Sequence, residues 1–202
     1  MHLALMFFLV AAAVELVAVA ADWTALQWVA KPLLAPLLAV YLIRRAKIDL
    51  VVVALGFATA GDVALLVDDD VAFLLGMACF LGTQICLTVA FLRRARARWW
   101  AFALYGLLWA LANALLWEQL GDLRVPVLVY SLVLSAMAAA AVGVSPRVAA
   151  GGAFFLVSDF LIGLDAADVG VPGQPVLIMA TYITALALIV TGWARLSGAR
   201  SR

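Results

Sequence analysis

Two aspartates, Asp62 and Asp159, stand inside long apolar stretches, and their type and placement suit them to acid and base chemistry. A charged side chain at a helix centre in hydrocarbon costs at least about 2.5 to 3.5 kcal/mol on insertion scales, so each needs a reason to be there. Two carboxyls held side by side repel as anions, so the pair keeps one proton between them. Such a pair is a general acid beside a general base. Each follows a small residue, Gly61 and Ser158, which lets a backbone or a ligand come close and is also common packing in membrane helices. Glu15 and Lys31 are the other charged residues at depth. They read either as structural contacts, such as a Lys31 to Glu15 ion pair, or as groups that orient a ligand.

The elements that must carry these residues follow from composition. Of 202 residues, 68% are apolar and 12% charged, with a mean hydropathy of +1.17. Soluble domains carry about 45 to 50% apolar and about 25% charged residues, so the chain belongs in a bilayer. At about 20 residues per span, eight helices leave little beyond short connections, and a single integral-membrane domain, 1–202, is expected. The net charge of +1 excludes a basic nucleic-acid binder, and the one histidine, His2, leaves no histidine metal cluster. No metal or other cofactor is expected. Cys79 and Cys86 lie seven apart in one apolar run. Two helical turns separate them by about 10 Å, too far for a disulfide, so they read as small buried hydrophobes.

Apolar runs predict an all-α bundle of eight transmembrane helices over 3–21, 25–43, 48–67, 71–92, 98–117, 125–143, 148–164 and 174–195. Charge tests the count, because alternate breaks must share a side. One side receives Arg44, Arg45, Lys47, Arg93, Arg94, Arg96, Arg98, Arg147, Arg195, Arg200 and Arg202, eleven of the 13 basic residues. The other receives only Arg124, together with Asp22, Asp68, Asp69, Asp70, Glu118, Asp122, Asp165 and Asp168. By the positive-inside rule the basic side is cytoplasmic, and both termini lie there. Ala18-Val19-Ala20 is similar to a signal-peptidase site, but no basic residue precedes the first span and Glu15 interrupts it. An uncleaved first helix is expected. The alanine-rich, short-looped style points to a bacterial inner (plasma) membrane.

A shift of 97 places Val51, Phe57, Asp62 and Asp68 on Val148, Phe154, Asp159 and Asp165. Duplication of four helices, 1–97 and 98–202, would be a parallel repeat; chance in a biased composition is the alternative. With about 1.5 Å of rise per residue, Glu15, Asp62 and Asp159 lie about 18, 21 and 17 Å above the cytoplasmic ends of their helices. Lys31 lies about 9 Å below the outer end of its own. Asn113, Tyr130, Ser131, Tyr182 and Thr184 fall near the same level. One polar layer in the outer half of the membrane results. It is either a set of satisfied interhelical contacts or a water-accessible site that does chemistry or moves an ion.

At these residues the chain resembles the lysoplasmalogenase (YhhN-like) family of multi-span membrane proteins. The matching pieces are Lys31-Pro32-Leu33, Gly61-Asp62 with Leu65, and Phe73-x-x-Gly76 followed by Phe80-Leu81. Pro126-Val127-x-x-Tyr130 with Met137, and Gly152-x-x-Phe155-x-x-Ser158-Asp159-x-x-Ile162, follow in order. The resemblance implies an eight-helix enzyme that hydrolyses the vinyl ether bond of lysoplasmalogens to a fatty aldehyde and a glycerophospho-headgroup. It also implies that Asp62 and Asp159 are catalytic. Gln84 and Leu87 stand where the family usually shows His-x-x-Tyr, and Ala185 replaces its usual glutamine near Tyr182.

Vinyl ether hydrolysis fits a carboxyl pair. Protonation of the β-carbon leaves an oxocarbenium ion, which a nearby carboxylate stabilises while water attacks, as in glycoside hydrolysis. A coupled pair titrates as a unit, so the acid and the base are not assigned to one residue each. Substrate contacts are expected from Lys31, Glu15, Asn113, Tyr130, Ser158 and Tyr182, with Lys31 toward the lipid phosphate. The partners expected are a lysophospholipid substrate and membrane lipid. A proton- or ion-coupled transporter using the same carboxylates is the alternative from another class. An intramembrane aspartyl protease ranks third: Ala60-Gly61-Asp62 is similar to part of its glycine-aspartate motif, but Ser158 stands before Asp159 where a tyrosine is needed.

Overall fold

The computed structural model describes residues 3–45 and 48–198; His2, Lys47, Arg200 and Arg202, counted above, lie outside the described residues. Eight α-helices follow one another: α1 (Leu3–Ala20), α2 (Thr24–Ile43), α3 (Leu50–Ala64), α4 (Asp70–Arg94), α5 (Trp99–Leu116), α6 (Arg124–Val144), α7 (Pro146–Ala166) and α8 (Gln174–Gly198). Among the described residues there is no strand. Seven of the helices are long and apolar enough to cross a membrane. The expected all-α bundle is therefore present, with its boundaries within a few residues of those read from hydropathy.

The exception is α3, which has 15 residues and spans about 22 Å, short of a hydrocarbon core about 30 Å thick. Leu65, Leu66 and Val67 extend the apolar run but not the helix. Their amides close tight turns onto Gly61, Val63 and Ala64, and the Leu65 side chain tucks against Gly76 of α4. Burial of Leu65 against a neighbouring helix substitutes for another helical turn. Asp62 consequently sits in the last turn of α3.

Helix ends are fixed by short polar side chains. Asp69 accepts from the amides of Val71 and Ala72 to start α4. Ser145 caps α7 through Val148 N, with Pro146 in the first turn, where a missing N–H costs nothing. Asp49 caps α3 through Val51 N at 3.0 Å and Val52 N at 3.4 Å, and its other oxygen accepts from Trp193 Nε1 at 2.6 Å. Trp193 in turn packs on Phe91 and under Arg94. One carboxylate thus ties α3 to α8 at the end where the arginines collect. Asp49→Ala is expected to cost about 1 to 2 kcal/mol, read as a lower thermal midpoint of the purified protein, with Asp49→Asn recovering most of it.

The helices close a ring. Each of α1 to α3 packs on the next, α4 packs on α6, α6 on α7, α7 on α8, and α8 returns to α1 and α2. Helix α5 lies outside, packed along α6. Close approach depends on small residues, as expected where lipid removes the hydrophobic drive for helix association. Ala138, Ala139, Ala140 and Ala141 are all buried on α6, and a Cβ on Gly152 of α7 would meet Ala138 and Ala141 at 3.2 Å or less.

Candidate active site

The polar layer expected in the outer half of the membrane is assembled by helices from all around the ring. Asp62, 1% exposed, accepts a hydrogen bond from the Tyr182 hydroxyl of α8 at 2.7 Å. Asp159 accepts one from the Tyr130 hydroxyl of α6. Each aspartate therefore has its own tyrosine on another helix, and the charge of Asp62 acts on Asp159. Both carboxyls also act electrostatically on Tyr182. Asp62 and Asp159, 97 positions apart in the chain, are thus each joined to a tyrosine on another helix.

Tyr182 is oriented by aromatic packing. Its ring meets Phe155 edge-on at 5.7 Å and Phe80 at 5.8 Å, and those two pack on each other at 6.3 Å. All three rings are buried, and edge-to-face contacts of this kind contribute about 0.5 to 1.5 kcal/mol each beyond burial. They aim the hydroxyl at Asp62. Gly61, beside Asp62, makes room for this: a Cβ there would lie 2.7 Å from the Phe80 ring.

The surroundings of the two aspartates differ. Asp159 is half-buried and lines a cavity between α4, α5, α6 and α7 whose wall is almost wholly apolar. Tyr130, Asn113, Ser131 and Ser135 are the polar groups beside it, with Phe73, Met77 and Trp109 among the apolar ones. The cavity holds about 120 Å³, below the about 300 to 1,000 Å³ usual for small-molecule sites. Asn113 donates to Ser131 Oγ at 3.1 Å and to Trp109 O at 2.9 Å, while its Oδ1 is buried without a partner. Trp109 Nε1 donates to Leu128 O, so α5 is fastened to α6 by these two side chains.

Asp62 is not among the residues lining this cavity. It is held by Tyr182, with Lys31 and Glu15 acting on it electrostatically. Glu15 is fully buried, and neither carboxyl oxygen has a hydrogen-bond partner. The direct Lys31 to Glu15 ion pair expected as one structural reading is therefore not made, although the Lys31 charge is felt at Glu15. Ser158 donates to Ile178 O of α8 at 3.0 Å, which occupies its hydroxyl in joining α7 to α8. Among the sequence-derived candidates, Asp159, Tyr130 and Asn113 share the cavity. Asp62, Tyr182, Glu15 and Lys31 form a second group outside its lining.

Sequence reasoning assigned no role to Phe80 and Phe155, which set Tyr182, or to Trp109, which walls the cavity. An aromatic residue in an apolar span carries no signal of which neighbour it will orient. Gln84 was visible only as a departure from a family pattern. It is fully buried beside the Tyr130 hydroxyl.

A ring of membrane helices with two tyrosine-held aspartates at one level, one of them facing an apolar cavity, defines a multi-span membrane protein with its polar groups concentrated inside the bundle. The chain belongs to the YhhN family, whose sequence model matches residues 26–193, a span that takes in both aspartates and both tyrosines. No curated protein and no solved structure matches the chain.

Proposed function

We propose that this protein is an intramembrane ether hydrolase that cleaves the vinyl ether bond of lysoplasmalogens, yielding a fatty aldehyde and a glycerophospho-headgroup. Lysoplasmalogenase activity is the role known for the YhhN family. The observation that carries the reading is Asp159: a carboxyl held by Tyr130 at the wall of an apolar cavity, surroundings that suit an apolar chain. In this mechanism the Asp159 carboxyl gives its proton to the vinyl β-carbon, and the resulting carboxylate takes a proton from the attacking water. Asp62, held by Tyr182, acts through its negative charge, which favours the oxocarbenium ion. The Lys31 charge balances Asp62, and Asn113 and Ser131 meet the polar part of the lipid. The protein is oriented with both termini cytoplasmic in a bacterial plasma membrane, in keeping with its arginine distribution. No metal or cofactor enters these steps.

The test uses the purified full chain in lipid nanodiscs with a 1-alkenyl lysophospholipid, following aldehyde by its reduction with alcohol dehydrogenase and NADH. Aldehyde released in equal amount to the glycerophospho product is the expected result. Absence of aldehyde, with the same protein driving proton-coupled solute uptake into liposomes, would overturn the hydrolase in favour of a transporter.

A further inference from the structure

Gln84 is the side chain near the site whose polar groups the mechanism leaves unused. On α4, Phe73, Met77 and Phe80 line the cavity, and Gln84 continues that face one turn deeper, since residues three and four apart share a helix face. It is fully buried, and both Nε2 and Oε1 lack a hydrogen-bond partner. Its neighbour Thr83, equally buried, has its hydroxyl placed on Ala54 O and Cys79 O. Gln84's own backbone carbonyl accepts from Thr88. The amide is thus the exception on this stretch of α4, and it lies beside the Tyr130 hydroxyl that donates to Asp159.

A buried primary amide offers two donor hydrogens and an acceptor oxygen, and leaving them unpaired costs about 1 to 3 kcal/mol. Buried polar groups are satisfied by protein or by ordered water, and an amide beside a tyrosine and a carboxyl presents the polar partners that a water needs. Hydrolysis consumes a water at this place. We propose that Gln84 is a water-positioning residue, holding the hydrolytic water between its amide and the carboxyl of Asp159; this rests on the ether-hydrolase reading above.

The step balances without any further reagent. Asp159 has given its proton to the β-carbon, and the vinyl ether has become an oxocarbenium ion. The water oxygen, directed by the amide, bonds to the cationic carbon while one of its protons passes to the Asp159 carboxylate. The neutral hemiacetal then transfers its hydroxyl proton to the ether oxygen as that carbon–oxygen bond breaks. Aldehyde and glycerol alcohol result, and Asp159 is again protonated for the next turnover.

The test compares Gln84→Leu and Gln84→His with the unaltered full chain. Leu removes the hydrogen-bonding groups at similar volume, and His restores a donor and an acceptor. Gln84→Leu is expected to keep or raise the thermal midpoint, keep KM within about twofold, and lower kcat about a hundredfold. Gln84→His should recover at least a tenfold share of that loss. Infrared spectra in H2¹⁶O and H2¹⁸O supply a readout free of turnover: an isotope-shifted O–H stretch of a buried water is expected in the unaltered chain and not in Gln84→Leu. Persistence of that band in Gln84→Leu overturns the proposal, and so does kcat within twofold of the unaltered value. Loss of kcat together with a lowered thermal midpoint and no recovery in Gln84→His also overturns it, as the mark of a packing role. A band that is present and Gln84-dependent in a protein releasing no aldehyde supports the water site and refutes the ether-hydrolase reading instead.

Discussion

Asp159→Asn is expected to lower aldehyde release by about 10² to 10⁴-fold, the usual contribution of a positioned general acid and base, while the protein still elutes as a single species with an unchanged thermal midpoint. Asn has nearly the volume of Asp, and its carbonyl oxygen can still accept from the Tyr130 hydroxyl, so the fold keeps its contact. What it loses is the proton delivered to the β-carbon and the base that receives one from water. Asp62→Asn separates the two aspartates. Asp62 is held by Tyr182 and does not line the cavity, so it acts through charge, and its loss is expected to cost about 1.4 to 2.8 kcal/mol of transition-state stabilisation, ten- to a hundredfold in kcat. Measuring both variants on one 1-alkenyl lysophospholipid decides the order. A larger loss in Asp62→Asn would move the substrate to the Lys31 and Glu15 side of the bundle, and near-normal turnover in Asp159→Asn would remove the acid altogether.

The second large effect is structural, at Gly151. A Cβ at this position on α7 would lie 2.7 Å from Ile189 Cγ1, 2.9 Å from Ile189 N and 3.0 Å from Ala185 O of α8. Two of those atoms are backbone, so no side-chain rotation relieves the clash and the helices must part. Gly151→Val is expected to destabilise the bundle by about 3 kcal/mol, the upper part of the range for overpacking, seen as loss of a monodisperse species on mild heating. Parting α7 from α8 would also separate Asp159 from Tyr182 and release Ser158 from Ile178 O, so residual folded protein should turn over poorly. Gly106→Ala is the comparison, because nothing lies within 4 Å of a Cβ there. It should leave stability equal or slightly improved through helix propensity. Equal behaviour of the two variants would show that close α7–α8 packing is dispensable.

Much of this was legible in the residues. Hydropathy placed all eight helices, because a bilayer requires continuous apolar runs and the breaks are short and charged. It misjudged the end of α3, where Leu65 is apolar for packing on Gly76 and not for spanning. It also passed over Asp49, which looks like one more residue at a helix start but accepts from a tryptophan 144 positions away. The two aspartates announced themselves by their cost in lipid, and the matching depth of Tyr130 and Tyr182 put them in the same layer.

Which groups share a cavity was not legible. Helical depth gives height along the bundle but not angle around it, and the angular arrangement is set by which glycines and alanines let which helices approach. Glu15, Lys31, Asp62 and Asp159 share one helical depth, yet packing divides them, leaving Asp159 at the cavity wall and the other three outside its lining. The sequence by itself determined the membrane, the number of helices and the level at which polar groups gather, because each follows from the local cost of putting a residue type in lipid. Only the tertiary structure decided which tyrosine holds each aspartate and which carboxyl faces a ligand, because those depend on side chains meeting across helices from distant parts of the chain.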